Sequence, residues 1–284
     1  GLNLKNSPQW TILPFFSNNI NLVNLEIVNN KDSLLVDGIN PQCSSEINII
    51  GSHFSNLNDC IAIKSAKKEI ADTFHVASRN IVIRNCYMEN SKSAVTLGCE
   101  NSSGIHSINV TQSRFVNNDF GAAIKTHRGC GKNAVIKDVV FDNIKMKDVL
   151  TPIMANMLYV DNAVDDINYI TNKKFVPIDE NTPYLDNFVF RNIEANDYER
   201  AAGYFYGLPE KYIYKIKIID SMFVAKESCK ESDFIDINDP NKYCKNAFIA
   251  KNIRSIDLTN VKLENTVGKR LEFENISEIN DNGR

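Results

Sequence analysis

One hydrophobic–polar pattern recurs along the chain: apolar, x, apolar, x, an Asn-like residue, x, x, apolar. It reads "INLVNLEI" from Ile20, "INIIGSHF" from Ile47, "IVIRNCYM" from Ile81 and "INVTQSRF" from Ile108. It continues as "VVFDNIKM" from Val139, "FVFRNIEA" from Phe188, "IKIIDSMF" from Ile216 and "IDLTNVKL" from Ile256. The starts lie 27, 34, 27, 31, 49, 28 and 40 residues apart, so a minimum period of 27 carries insertions. Alternation over the first three positions predicts a short strand with one face buried. The fifth position holds Asn24, Gly51, Asn85, Gln112, Asn143, Asn192, Asp220 and Asn260. Residues of this kind accept bends and left-handed backbone, and stacked amides hydrogen-bond along a ladder.

A strand-and-bend unit of this length cannot bury its own apolar face and must stack on copies of itself. The pattern therefore predicts an all-β fold, a single parallel β-helix domain over residues 1–284. A β-sandwich is the alternative, but its strands need no Asn at a fixed offset. The polar end from about residue 266, "GKRLEFENISEINDNGR", reads as a loosely ordered tail.

The repeat also supplies a register. Twelve residues beyond each start, four successive coils reach Asp59, Ser93, Phe120 and Thr151, followed by "CIAIK", "AVTLG", "GAAIK" and "PIMAN". Stacked coils lie ~4.8 Å apart. Asn58 and Lys92 then become vertical neighbours, Lys64 and Lys125 share a position two coils apart, and "LLVDGIN" brings Asp37 to the same face. A Lys92–Asp59 ion pair is expected there. The carboxylates would hold the lysine's proton tightly, making it a poor acid.

Composition changes this picture little. Charged residues make up 24% and hydrophobic residues 43% of 284, ordinary for a globular protein. A net charge of −3 argues against a nucleic-acid partner, and no apolar run approaches a membrane span. "GLNLKNSPQW" has neither the basic start nor the apolar segment of a secretory signal. Seven cysteines without a CxxC pair suggest buried hydrophobes instead of zinc ligands, and no cofactor or metal is expected. Cys229 and Cys244 flank a polar segment suited to a loop disulfide. Lys125, His127 and Arg128 form a small basic cluster that would suit the carboxylates of an acidic ligand.

Several of these segments, in order, resemble the polygalacturonase-type glycoside hydrolases. "VDGINPQCSSEINI" is similar to that family's Asn-Thr-Asp-Gly-Ile segment, and "NDCIAIKS" to Gly-Asp-Asp-Cys-Ile-Ala-Ile-Lys-Ser. "SKSAVTLGCENSSGI" resembles Gly-His-Gly followed by Ile-Gly-Ser-Glu, "GAAIKT" resembles Gly-Leu-Arg-Ile-Lys-Thr, and "YFYGLPE" a C-terminal signature of bacterial members. The resemblance implies a right-handed single-stranded β-helix, with further coils or a cap before "GLNLKNSPQW". It also implies a monomer acting on pectin-type galacturonan or oligogalacturonides by inversion, in which an acid protonates the leaving oxygen while carboxylates activate water.

By motif position, Asp37 and Asp59 would be the water-activating carboxylates, and Asn58 stands where the general acid would be. Lys92 replaces the family histidine and Ala123 its substrate-binding arginine. Lys125 is kept, and Tyr159 matches a tyrosine bordering the sugar. An amide donates no proton to a departing alkoxide, and losing a positioned acid costs ~10²–10⁴ in rate. The resemblance thus implies a glycoside hydrolase with impaired catalysis. Its alternatives are a carbohydrate-binding pseudoenzyme and a hydrolase of another acidic polysaccharide. Asp37 before Gly38 also has a purely structural reading, as a turn signal.

Overall fold

A computed structural model describes residues 1–29, 36–160, 166–228, 233–235, 241–267 and 270–282. The chain winds as a right-handed parallel β-helix, and one sixteen-stranded sheet system links its coils. Each full coil has three strands. In the central coil they run together as Ile105–Lys125; the next coil divides into Val135–Lys147 and Thr151–Asn156.

The repeat positions stack as the pattern predicts. Ile20, Ile47, Ile81, Ile108, Val139, Phe188, Ile216 and Ile256 are paired in one parallel column. The second apolar position builds a fully buried column of Ile49, Ile83, Val110, Phe141, Phe190, Ile218 and Leu258. All eight Asn-like residues have φ between 48° and 61°, the left-handed region that asparagine and glycine enter at low cost. Each coil therefore turns its corner at the same place.

Two further corners use the same chemistry. One residue before the repeat's first position, Asn80, Ser107, Asp138 and Asn187 have positive φ; nine residues beyond that position, Asn90, Asn117 and Asp148 do. Amides bridge coils at these corners: Asn187 donates to Asp138 at 2.7 Å and Asn117 to Asn90 at 2.8 Å. Serines add a third tie. Ser52, Ser113 and Ser221 accept from the backbone N–H of Leu25, Cys86 and Ile193 in the preceding coil. These bonds join neighbouring coils and hold register at the corners.

Insertions leave the stack after the third strand. Residues 65–77 carry helix α1 (Lys68–Phe74), and residues 157–183 carry α2 (Ile167–Ile170). The sequence reading of a loose C-terminal tail differs from the structure, where Leu271–Asp281 pairs in parallel with Asn246–Glu264. Leu271, Phe273 and Ile276 pack on the core, and this apolar edge is enough to add one last strand to an open stack. Cys43, Cys60, Cys86, Cys99 and Cys130 are in no disulfide, and all except Cys99 are buried. Cys244 is disulfide-bonded; Cys229 lies outside the described residues.

Candidate active site

The third strands form the floor of the candidate site. Ile39 bridges Ile61, so Asp37 lies level with Asp59, and the Gly38 N–H donates to the Asp59 carbonyl at 3.0 Å. Ile63, Leu97 and Ile124 pair across successive coils, which aligns Lys64, Gly98 and Lys125. Gly98 has φ +92°, and a Cβ there would strike the Lys125 carbonyl. The column thus has no side chain between its two lysines.

Asp37 is 2% exposed and its two oxygens accept three hydrogen bonds. The Asn58 amide and the Asp59 N–H donate to Oδ1 at 2.6 and 3.1 Å, and the Asn40 amide donates to Oδ2 at 2.6 Å. Burial, reinforced by the Asp59 charge, pushes the Asp37 carboxyl up to about 6 against the opposing pull of Asn40 and Lys64. Asp59 is also buried, and its Oδ1 has no hydrogen-bond partner. Asn58 therefore occupies a position where a third carboxylate would face two others, and supplies a donor instead.

Lys125 is 3% exposed, with its ammonium 4.9 Å from the Tyr159 ring centre and 5.9 Å from that of Phe120. Burial pulls its pKa down. Asp59 and the other acidic groups nearby outweigh this, and the net shift is upward. Lys64 lies 4.9 Å from the Trp10 ring and pairs with Glu100 at 3.8 Å. Ala123, between Thr96 and Met154, is fully buried and brings no charge to the floor.

Not every residue singled out in the sequence joins this cluster. Lys92 stacks its backbone on Asn58 as predicted, donating its N–H to the Asn58 carbonyl at 3.1 Å. Its side chain is exposed, and no Lys92–Asp59 ion pair forms. The residue stacked on Asp59 is Ser93, whose carbonyl accepts from the Cys60 N–H at 2.9 Å; Lys92 is one residue earlier and faces solvent.

Arg128 is buried in an ion pair with Glu210, Nε to Oε1 at 2.6 Å and Nη2 to Oε2 at 3.0 Å. Its Nη1 donates to the carbonyls of Tyr169, Ile170 and Asn172. The guanidinium is spent on fastening the 157–183 excursion to the 204–210 segment. Partners 41 to 82 residues away cannot be read from a local basic cluster. His127 donates from Nδ1 to the Arg128 carbonyl at 2.7 Å and borders a separate depression of about 290 Å³ between the two excursions. Two contributors were missed in the sequence: Asn40, signalled by its place three residues after Asp37, and Glu210, which had no local signal.

Comparison with known proteins bears on the family and the fold. The model of "Glycosyl hydrolases family 28" matches residues 1–181, a range that holds Asp37, Asn58, Asp59, Lys92, Lys125, Arg128 and Tyr159 but not Glu210. A probable polygalacturonase from Vitis vinifera is 32% identical over 147 residues, covering 51% of this chain and 30% of that protein. A polygalacturonase from Gossypium barbadense is 29% identical over 194 residues, 67% of this chain and 42% of the other. The chain thus spans less than half the length of these curated relatives. An exopolygalacturonase structure from Thermotoga maritima superimposes with a TM-score of 0.73 at 19% identity, over 92% of this chain and 51% of that one. Family 28 exopolygalacturonase from Yersinia enterocolitica gives 0.67 at 14% identity, over 99% and 44%. These structural likenesses bear on the fold, and the family match on descent: the chain belongs to the glycosyl hydrolases of family 28.

Proposed function

We propose that the face carrying Asp37, Asp59 and Lys125 binds a galacturonan-type acidic polysaccharide, and that glycosidic hydrolysis there is impaired. The observation carrying this reading is the Asn58 amide donating to Asp37 Oδ1 at 2.6 Å. An aspartate at position 58 would crowd three carboxyl groups, and one would have to keep a proton. A retained proton is what a leaving oxygen needs. The amide satisfies Asp37 as a donor and transfers nothing. Asp37 and Asp59 are then the water-activating pair, with Lys125 and Tyr159 contacting the sugar and Lys92 reaching it from the rim. His127 lines the separate depression beside it, and Arg128 fastens the 166–172 segment.

A reducing-end assay on polygalacturonate tests this with the wild type and Asn58→Asp. Hydrolysis is expected to rise ~10²-fold or more in the variant, while trigalacturonate binds both proteins. Rapid wild-type turnover would overturn the impairment. Failure of both proteins to bind trigalacturonate would overturn the ligand class. A non-catalytic binding role is the second reading, favoured by Ala123, which leaves the floor without the family arginine. That reading predicts no gain in Asn58→Asp alone and recovery only when Ala123→Arg is added.

A further inference from the structure

A second polar groove lies at the corner between the first and second strands and shares no residue with the acidic floor. An open depression of about 520 Å³ is bordered by Arg84, Asn85, Gln112, Arg114, Asn143 and Lys145. A second, of about 220 Å³, shares Asn85, Gln112 and Arg114 and extends the surface to His53 and Tyr87. The register orders these groups. His53, Tyr87, Arg114 and Lys145 stack in one column over four coils, while Asn85, Gln112 and Asn143 supply exposed amides at the corner. Arg84 stands at the end of the first strand, opposite that column.

The charges favour an anion. Among the described residues neither Arg84 nor Arg114 has an ion-pair partner, although both are exposed. Three neighbouring carboxylates are already engaged, Glu89 with His53 at 3.0 Å, Glu194 with Lys145 at 3.4 Å and Asp142 with Arg191 at 2.9 Å, while Glu26, stacked on His53, stands at the far end of the column from Arg114. Cations on successive coils recur at ~4.8 Å, close to the rise of one sugar in an extended polysaccharide. Tyr87 and His53, with ring centres 5.4 Å apart, offer an aromatic surface for a sugar's apolar face. The amides offer donors and acceptors to hydroxyl groups.

We infer that this groove is a secondary binding site for an acidic polysaccharide chain, running along the helix axis on a surface separate from the acid-lined floor. The choice of a uronan as ligand rests on the reading of that floor; the groove's existence and charge do not. Such a site would hold a polymer to the protein whether or not the floor turns it over. Its contribution would be salt-sensitive, because the cations are exposed.

Binding of polygalacturonate polymer and of trigalacturonate is measured by titration calorimetry at low and moderate salt. The proteins are the wild type, Arg84→Glu/Arg114→Glu, Arg84→Gln/Arg114→Gln and the floor variant Lys125→Ala. Expected is a loss of about tenfold or more in polymer affinity for both groove variants, with trimer affinity unchanged, and the reverse for Lys125→Ala. Polymer affinity within about twofold of wild type in the groove variants would overturn the proposal. If the glutamate pair fails to fold, the glutamine pair alone decides between these outcomes. Wild-type protein that binds polymer through the two arginines but no trimer would sink the floor's reading and support the groove's. Single-stranded DNA displacing the polymer at equal affinity through the same arginines would overturn the ligand class.

Discussion

Asp37 concentrates the site's electrostatics in one buried carboxyl. Its ordinary pKa of 3.8 is pushed up to about 6 in the folded chain, so the folded form binds more protons than the unfolded form between those values. Stability contributed by this group is therefore fully present below 3.8, falls as pH rises, and is lost above about 6. Keeping the carboxylate ionised at neutral pH costs up to ~3 kcal/mol. Asp37→Asn is expected to raise stability at pH 7 by ~1–3 kcal/mol and to make no difference near pH 3.5. Urea unfolding at the two pH values checks this. Asn40 can accommodate the new amide, because its own Oδ1 has no partner and the side chain can turn over to accept. A stability gain of that size at a carboxyl proposed to activate water would be the expected signature of strain kept for function.

At the scale of the element, the left-handed corner is the feature that makes one coil fit the next. Seven of the eight first-corner positions hold Asn, Asp or Gly; the eighth is Gln112, at φ 50°. Its longer side chain forms no local hydrogen bond that favours this backbone. Gln112→Asn is expected to stabilise by up to ~1 kcal/mol, and Gln112→Val to destabilise by ~1–2 kcal/mol, measured as shifts in denaturation midpoint. This element was legible because backbone conformation at a corner depends on the residue placed there. The same holds for the apolar columns, whose register follows from counting. The other two corners carried the same signal in Asn80, Asp138, Asn187, Asn90 and Asn117 and passed unnoticed, since no apolar triplet stands beside them in so regular a way. Side-chain direction was less legible. Counting placed Lys92 on Asn58 correctly but could not show that its ammonium leaves for solvent.

Across the whole molecule, what the sequence concealed is contact at long range. Arg128 looked like one member of a basic cluster with Lys125 and His127, yet its guanidinium makes five hydrogen bonds, to Glu210 and to three carbonyls of residues 169–172. Arg128→Ala leaves Glu210 buried without a counter-charge and is expected to cost ~3–5 kcal/mol. Replacing both partners, as Arg128→Met/Glu210→Met, should recover part of that loss. The remainder measures the orphaned carbonyls of Tyr169, Ile170 and Asn172. Full recovery in the unfolding midpoint would mean that the guanidinium does not fasten the excursion. Limited proteolysis within residues 166–183 should accelerate in both variants.

The two excursions that leave the stack after the third strand have a further consequence. Residues 65–77 and 157–183 follow directly on the floor strands Ile61–Ile63 and Thr151–Asn156, but the column itself is fixed by strand pairing and corner residues that neither excursion supplies. Wall and floor are thus separately inheritable. A lineage can lengthen, shorten or exchange either segment, and so reshape what fits above Asp59 and Lys125, without renegotiating the interior.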